Sequence, residues 1–138
     1  MKISVDTNVL VRAVVGDDPA QAAVAADVLA NAELIAVALP CLCEFSWVLM
    51  KVYGFQSSDV AAAIRALLAT ENVAMNRPAV ETGLSILEAG GDFADGVIAY
   101  EGAWLGGATF VSFDKKAHGQ RGIGAVRLRL TAPTTQKK

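Results

Sequence analysis

The sequence predicts an α/β protein: a three-layer α/β/α sandwich on a short, mainly parallel sheet. Three observations carry this expectation. Short apolar runs of strand character alternate with Ala-rich or amphipathic stretches of helical length, a spacing that calls for crossover connections, parallel strands and helices over both sheet faces. The punctuation agrees, with Pro19, Pro40 and Pro78 near predicted helix starts and Gly54, Gly90-Gly91 and Gly106-Gly107 just past predicted helix ends. Finally, 138 residues that are 54% hydrophobic and 19% charged can bury one sizeable core and do not resemble a disordered chain.

In chain order, Lys2–Val5 reads as a short buried strand. No element is assigned between Val5 and Asp18. Asp18-Pro19-Ala20-Gln21 supplies an N-cap, a proline at the first helical position and a glutamine at N3, opening an Ala-rich helix to about Asn31. Leu34–Leu39 is the second strand-like run, and Pro40 opens a helix that lasts to about Tyr53 and stops at Gly54. Ser57 or Ser58 is expected to cap the next helix, to about Ala69, before a brief strand at Val73–Met75. A helix from Pro78 to Ala89 ends at Gly90-Gly91. Asp92 caps the following helix, with Asp95 at N3 and Gly106-Gly107 at its end. Ala108–Phe113 and Ala125–Leu130 complete the strands.

No repeat, low-complexity segment or linker interrupts the chain, so a single domain over 1–138 is expected, with a short basic tail at about 131–138. The first apolar run breaks at Asp6, which argues against a signal peptide, and no apolar stretch is long enough to span a bilayer. A cytoplasmic protein is expected. Cys41 and Cys43 are the two cysteines and His118 the one histidine. Cys-x-Cys with no second pair is a poor zinc site, and both cysteines read as small buried residues with free thiols. Charge is segregated: residues 1–114 hold all 14 acids against five basic residues, whereas 115–138 hold seven basic residues and no acid. That asymmetry fits a polyanion, an acidic partner surface or a solvated tail.

Four acids stand in apolar sequence: Asp6 closes Ile3-Ser4-Val5, Glu44 is the one charge between Glu33 and Lys51, Asp95 opens Gly96-Val97-Ile98-Ala99-Tyr100, and Asp114 closes Thr109-Phe110-Val111-Ser112-Phe113. Carboxylates are rarely buried unless paired or bound to metal. In a parallel sheet, Asp6 and Asp114 fall at the carboxyl edge of the strands, where ligands bind, and Glu44 and Asp95 sit near it in the early turns of their helices. Converging carboxylates repel by roughly 4 kcal/mol per pair at about 4 Å and an effective dielectric near 20. A divalent cation relieves that repulsion, so the pattern points to metal-assisted phosphodiester hydrolysis.

The same residues resemble the motifs of PIN-domain ribonucleases, particularly the VapC toxins of type II toxin–antitoxin pairs. Asp6-Thr7-Asn8-Val9-Leu10-Val11-Arg12 is similar to the opening motif, Asp92-Phe93-Ala94-Asp95-Gly96-Val97-Ile98-Ala99 to the third, and Thr109-Phe110-Val111-Ser112-Phe113-Asp114-Lys115-Lys116 to the fourth. Glu44 falls at the place of the helical glutamate, and the likeness covers nearly the whole chain. It implies a Mg2+- or Mn2+-dependent endoribonuclease, restrained by a cognate antitoxin and often dimeric. Asp6, Glu44, Asp95 and Asp114 are then both metal ligands and catalytic residues. Thr7, Asn8 and Ser112 would hold those carboxylates by hydrogen bonds, and Arg12, Lys115 and Lys116 would hold RNA phosphates. Gly96 stands where the family more usually has alanine and is expected to loosen that helical turn.

Other residues receive plainer readings. Asp92 has the N-cap role and stays outside the ligand set, His118 reads as a surface residue, and Trp47, Tyr53 and Trp104 as core or interface aromatics. The helix from Pro40 to Tyr53 is apolar nearly all round, which predicts burial against a second copy or an antitoxin. Two rivals are an RNA-processing PIN nuclease without an antitoxin and an Asp-dependent metal phosphatase. The phosphatase requires a second Asp two residues after the first, where this chain has Asn8. A non-enzymatic binding module is weaker still, because all four acids are intact.

Overall fold

The structure is a computed structural model that describes residues 1–112 in full and the backbone of 126–129. Its elements run β1 (Lys2–Ser4), α1 (Thr7–Val15), α2 (Pro19–Asn31), β2 (Leu34–Ala36), α3 (Leu39–Lys51), α4 (Ser57–Leu68), β3 (Val73–Ala74), α5 (Arg77–Glu88), α6 (Phe93–Trp104), β4 (Thr109–Ser112) and β5 (Val126–Arg129). They fall into two compact units, Met1–Arg77 and Pro78–Lys138.

In the first unit β1, β2 and β3 form a parallel sheet with β2 in the centre. Ile35 pairs with Ile3 on one side and Val73 on the other, and is almost fully buried. The strands are shorter than predicted. Pairing nevertheless reaches past them, through Val5 N to Ala36 O (3.3 Å) and Val37 N to Ala74 O (2.9 Å). Helix α1 packs on α2 and α3, and α3 on α4. Leu42, Phe45, Leu49, Val60 and Ile64 are inaccessible to solvent and make the centre of this core.

Two local readings needed correction. The segment with no assigned element holds α1, whose signals were present: Asp6 accepts from Val9 N (3.3 Å) as its N-cap, and Gly16 ends it at φ 70°. There the left-handed backbone that glycine adopts freely turns the chain toward Asp18. The α4 cap is Gln56, not Ser57 or Ser58; Gln56 N donates to Asp59 Oδ2 at 3.3 Å. Asp18 caps α2 as expected, accepting from Gln21 N at 3.1 Å with Pro19 at the first helical position.

In the second unit α5 and α6 carry the buried residues Val80, Leu84, Leu87, Phe93 and Val97, and β4 packs against α6. Here β4 pairs antiparallel with β5, with Thr109 opposite Arg129 and Ser112 opposite Val126. The last strand therefore departs from the parallel pattern that gives the rest of the fold its character. Asp92 caps α6 as expected, accepting from Ala94 N at 3.1 Å.

Gly96 reverses the expectation of a loosened turn. A Cβ placed there would lie 2.8 Å from Gly83 Cα, 2.9 Å from Thr82 O and 2.9 Å from Ile86 Cγ1, whereas a Cβ at Gly83 would meet the Phe93 ring at 2.7 Å. Neither glycine has a positive φ, so space and not backbone conformation requires them. Two interior glycines give up about 1 kcal/mol each in helix propensity relative to alanine, and the return is backbone contact between α5 and α6. Gly102, in the same helix, has nothing among the described residues within 4 Å of an added Cβ. One substitution should thus have opposite signs in one helix. Gly102→Ala is expected to raise the melting temperature by a few degrees, and Gly96→Ala to lower it, because the backbone atoms it meets cannot turn aside. Thermal melts followed by circular dichroism would reveal a stabilised Gly96→Ala protein, which would mean that the two helices do not touch there.

Candidate active site

The site begins at the junction of β1 and α1. Asp6, two residues after β1, is in extended backbone (φ −93°, ψ 175°) and caps the helix through Oδ1. Thr7, the first residue of α1, is buried and donates its hydroxyl hydrogen to Glu44 Oε1 at 2.8 Å. This bond joins residues 37 apart in sequence and holds the carboxylate of α3 beside the start of α1. Glu44 reaches it because α3 turns Leu42, Phe45 and Leu49 fully inward, which brings the intervening acid to the outside.

Cys41 lies one helical turn before Glu44 and is buried beside this pair. Burial pushes its thiol pKa up, a hydrogen bond with Thr7 opposes that shift, and the charges of Asp6 and Glu44 raise it further. Asp6, Thr7, Cys41 and Glu44 are therefore neighbours, and the thiol stays protonated near neutral pH. Sequence reading had taken Cys41 as a small buried residue, which it is; the i, i+3 spacing from Glu44 was the available sign that it also borders the site. Cys43 is half-buried.

The acids are less enclosed than their apolar sequence neighbours implied. Asp6 and Glu44 are exposed, whereas Leu10, Val11, Leu42 and Phe45, near them in sequence, are buried. Asp95 is half-buried in the first turn of α6, with its Oδ2 buried, and an acid at that position is favoured by the helix dipole. Asp92 serves as the cap. Asp114, Lys115, Lys116 and His118 lie outside the described residues. Among the described residues no three His, Cys, Asp or Glu side chains assemble into a group able to hold a metal ion. What the first unit supplies is a pair: Asp6 and Glu44, both close enough to act on the Cys41 thiol. These are hard oxygen donors of like charge, a donor set that fits a hard divalent cation such as Mg2+ or Mn2+.

The remaining candidates are placed as follows. Asn8 is exposed and lines a groove of about 360 Å3 between α1 and α2, with Val9, Arg12, Gln21, Val24 and Val28. Arg12 Nη1 pairs with Asp17 Oδ1 at 3.1 Å, and Tyr53 Oη donates to Asp17 Oδ2 at 3.1 Å. Asp17 thus ties the end of α1 to the residues after α3, a role that sequence reading missed. Ser112 is half-buried at the end of β4. Trp47 is 58% exposed on α3, and no described helix is long and apolar enough to cross a membrane.

A family model described as PIN domain matches residues 3–120, a span that takes in Asp6, Glu44, Asp95 and Asp114. Comparison with curated proteins and with solved structures finds no match. PIN domains are generally metal-dependent nucleases that act on RNA. The α/β architecture, the short parallel sheet and the match over most of the chain agree, and the protein belongs to the PIN domain family.

Proposed function

We propose that this chain is a metal-dependent endoribonuclease and the toxin of a type II toxin–antitoxin pair, acting in the cytoplasm. The observation that carries the catalytic part is the Thr7–Glu44 hydrogen bond beside Asp6, because it ties the opening acidic motif to the helical glutamate at 2.8 Å. In this reading Asp6, Glu44, Asp95 and Asp114 hold Mg2+ or Mn2+. The bound cation would polarise the scissile phosphate and lower the pKa of an attacking water. Thr7 keeps the Glu44 carboxylate from rotating, Asp6 is kept in place by its cap to Val9, and Asn8 and Ser112 stand by as further hydrogen-bonding groups. Lys115 and Lys116 are assigned to RNA phosphates. Arg12 can join them only by leaving Asp17, an exchange that costs little because exposed ion pairs contribute about 0–1 kcal/mol.

The toxin assignment rests on the motif resemblance and on unsatisfied apolar surface. The groove between α1 and α2 exposes Val24 and Val28 beside Arg12, which suits an amphipathic antitoxin segment with an acidic residue. Trp47 on α3 and Val52, its C-cap, are 58% and 61% exposed, apolar surface that a second copy would cover in a homodimer.

Three outcomes test these assignments. With Mn2+ or Mg2+ the protein should cut single-stranded RNA and stop on addition of EDTA, and Asp6→Asn should lower the rate by orders of magnitude while leaving the circular dichroism spectrum unchanged. A folded Asp6→Asn protein of undiminished activity would falsify the site. Thr7→Val removes the donor and keeps the shape, so activity should fall about 10–100-fold, with Thr7→Ser retaining most of it; equal rates for Val and Ser would show that the hydroxyl does nothing. Expressed without an antitoxin, the chain should arrest growth, and Asp95→Asn should be tolerated. A wild-type chain that is harmless at high level yet active on purified RNA would favour the RNA-processing role instead.

A further inference from the structure

Two side-chain hydrogen bonds join the α1 segment to the α3 segment, and they lie in register. Thr7 and Glu44 are 37 residues apart, and Asp17 and Tyr53 are 36 apart. So constant an offset means that the two segments run side by side in the same direction. They are pinned at the start of α1 by the Thr7–Glu44 bond (2.8 Å) and past its end by Tyr53 Oη donating to Asp17 Oδ2 (3.1 Å). Between the pins come buried Leu10 and Val11 of α1 and buried Phe45 and Leu49 of α3. Apolar burial is non-directional, whereas a hydrogen bond fixes both distance and angle, so the pins govern how one helix lies along the other.

The far pin is presented from two closed helix ends. Asp17 follows Gly16, whose N–H bonds Arg12 O at 3.2 Å, and the other oxygen of Asp17 accepts from Arg12 Nη1 at 3.1 Å. Tyr53 sits between the C-cap Val52 and Gly54 (φ 71°), with its own N–H on Val48 O (3.3 Å) and Phe55 N–H on Leu49 O (2.9 Å). The Asp17 carboxylate therefore bridges α1, through Arg12, to the end of α3, through Tyr53. Helix α1 depends on such support. Its nine residues fall short of the roughly 12–15 at which a helix holds together alone in water. Helix formation is also cooperative, so release of one end loosens the other.

We propose that the Tyr53–Asp17 contact is a positioning device for Glu44: by seating the far end of α1 on α3, it keeps Thr7 where its hydroxyl holds the Glu44 carboxylate. The catalytic consequence rests on the nuclease reading of Glu44. Asp17 and Tyr53 act through Thr7 and are positioning residues, not catalytic ones. Cys41, buried one helical turn before Glu44 and hydrogen-bonded with Thr7, reports on the near end of the seam.

The test is the rate at which iodoacetamide labels Cys41 in the full chain carrying Cys43→Ser, at one pH and without metal or RNA. A net hydrogen bond corresponds to a factor of about 2–10 in an equilibrium. Tyr53→Phe, which removes the hydroxyl alone and changes no charge, should speed labelling by about that factor. Asp17→Ala should do the same, and the two together no more than either alone, because both cut one contact. Asn31→Ala removes an exposed hydrogen bond to Asp27 within α2 and should leave the rate unchanged. An unchanged rate in Tyr53→Phe, or an equal rise in Asn31→Ala, would overturn the proposal. On single-stranded RNA with Mn2+, Tyr53→Phe should lower kcat about 2–10-fold with KM unmoved, and should have no further effect in a Thr7→Val background. Faster labelling with undiminished kcat would remove the positioning role and leave the nuclease reading intact. A wild-type chain that cuts no RNA would sink that reading and the catalytic consequence together, while the labelling rates still decide whether the two ends of the seam are linked.

Discussion

Three strands of three, three and two residues cannot hold a sheet by themselves, and much of the first unit follows from that constraint. The strands are parallel, so their carboxyl ends share one edge and each connection must pass through helix. With so few ladder bonds, the chain leaves β1 and enters α1 within two residues, and Asp6 caps the helix. Thr7 is buried because the turn is so tight. A buried hydroxyl needs a partner, and it finds one in Glu44 of α3. The neighbourhood of the two acids is thus a by-product of how a very short strand has to end.

This arrangement leaves the carboxylates solvated. Asp6 and Glu44 are exposed, so water screens their repulsion and no large desolvation penalty opposes the fold. The site is held in shape by neutral groups, a threonine hydroxyl and a backbone amide. Cys41 fits the same logic. Its thiol is kept in the neutral form by burial and by the two nearby charges, so it adds bulk to the wall of the site without adding a third negative charge.

The helices deal with apolar excess in two ways. In α5 and α6 it is resolved internally, by removing side chains at Gly83 and Gly96 until backbones touch. At α3 it is left outside, where Trp47 and the C-cap residue Val52 face solvent while Leu42, Phe45 and Leu49 fill the core. The first solution fixes the entry of α6, where Asp92 caps and Asp95 follows. The second leaves apolar surface exposed to solvent.

The order of strands and helices was legible because it is written in local terms: apolar runs, Asp18-Pro19 and Asp92 as helix starts, and glycines as helix stops. Asp6, Glu44, Asp95 and Asp114 stood out for the same reason, as charges interrupting apolar sequence. Helix α1 was hidden by its brevity and by its cap doubling as a motif residue, and the α4 cap by two serines that look better suited than Gln56. The Thr7–Glu44 bond, the place of Cys41 beside it and the capture of Arg12 by Asp17 depend on which residues, distant in the chain, are brought face to face. Gly96 is the sharpest case. Propensity alone marks it as a weak point in a helix, but at 2.8 Å from Gly83 the missing side chain is what allows the helices to meet. Local chemistry determined the elements; the distances between elements, which no local preference encodes, decided what each of those residues touches.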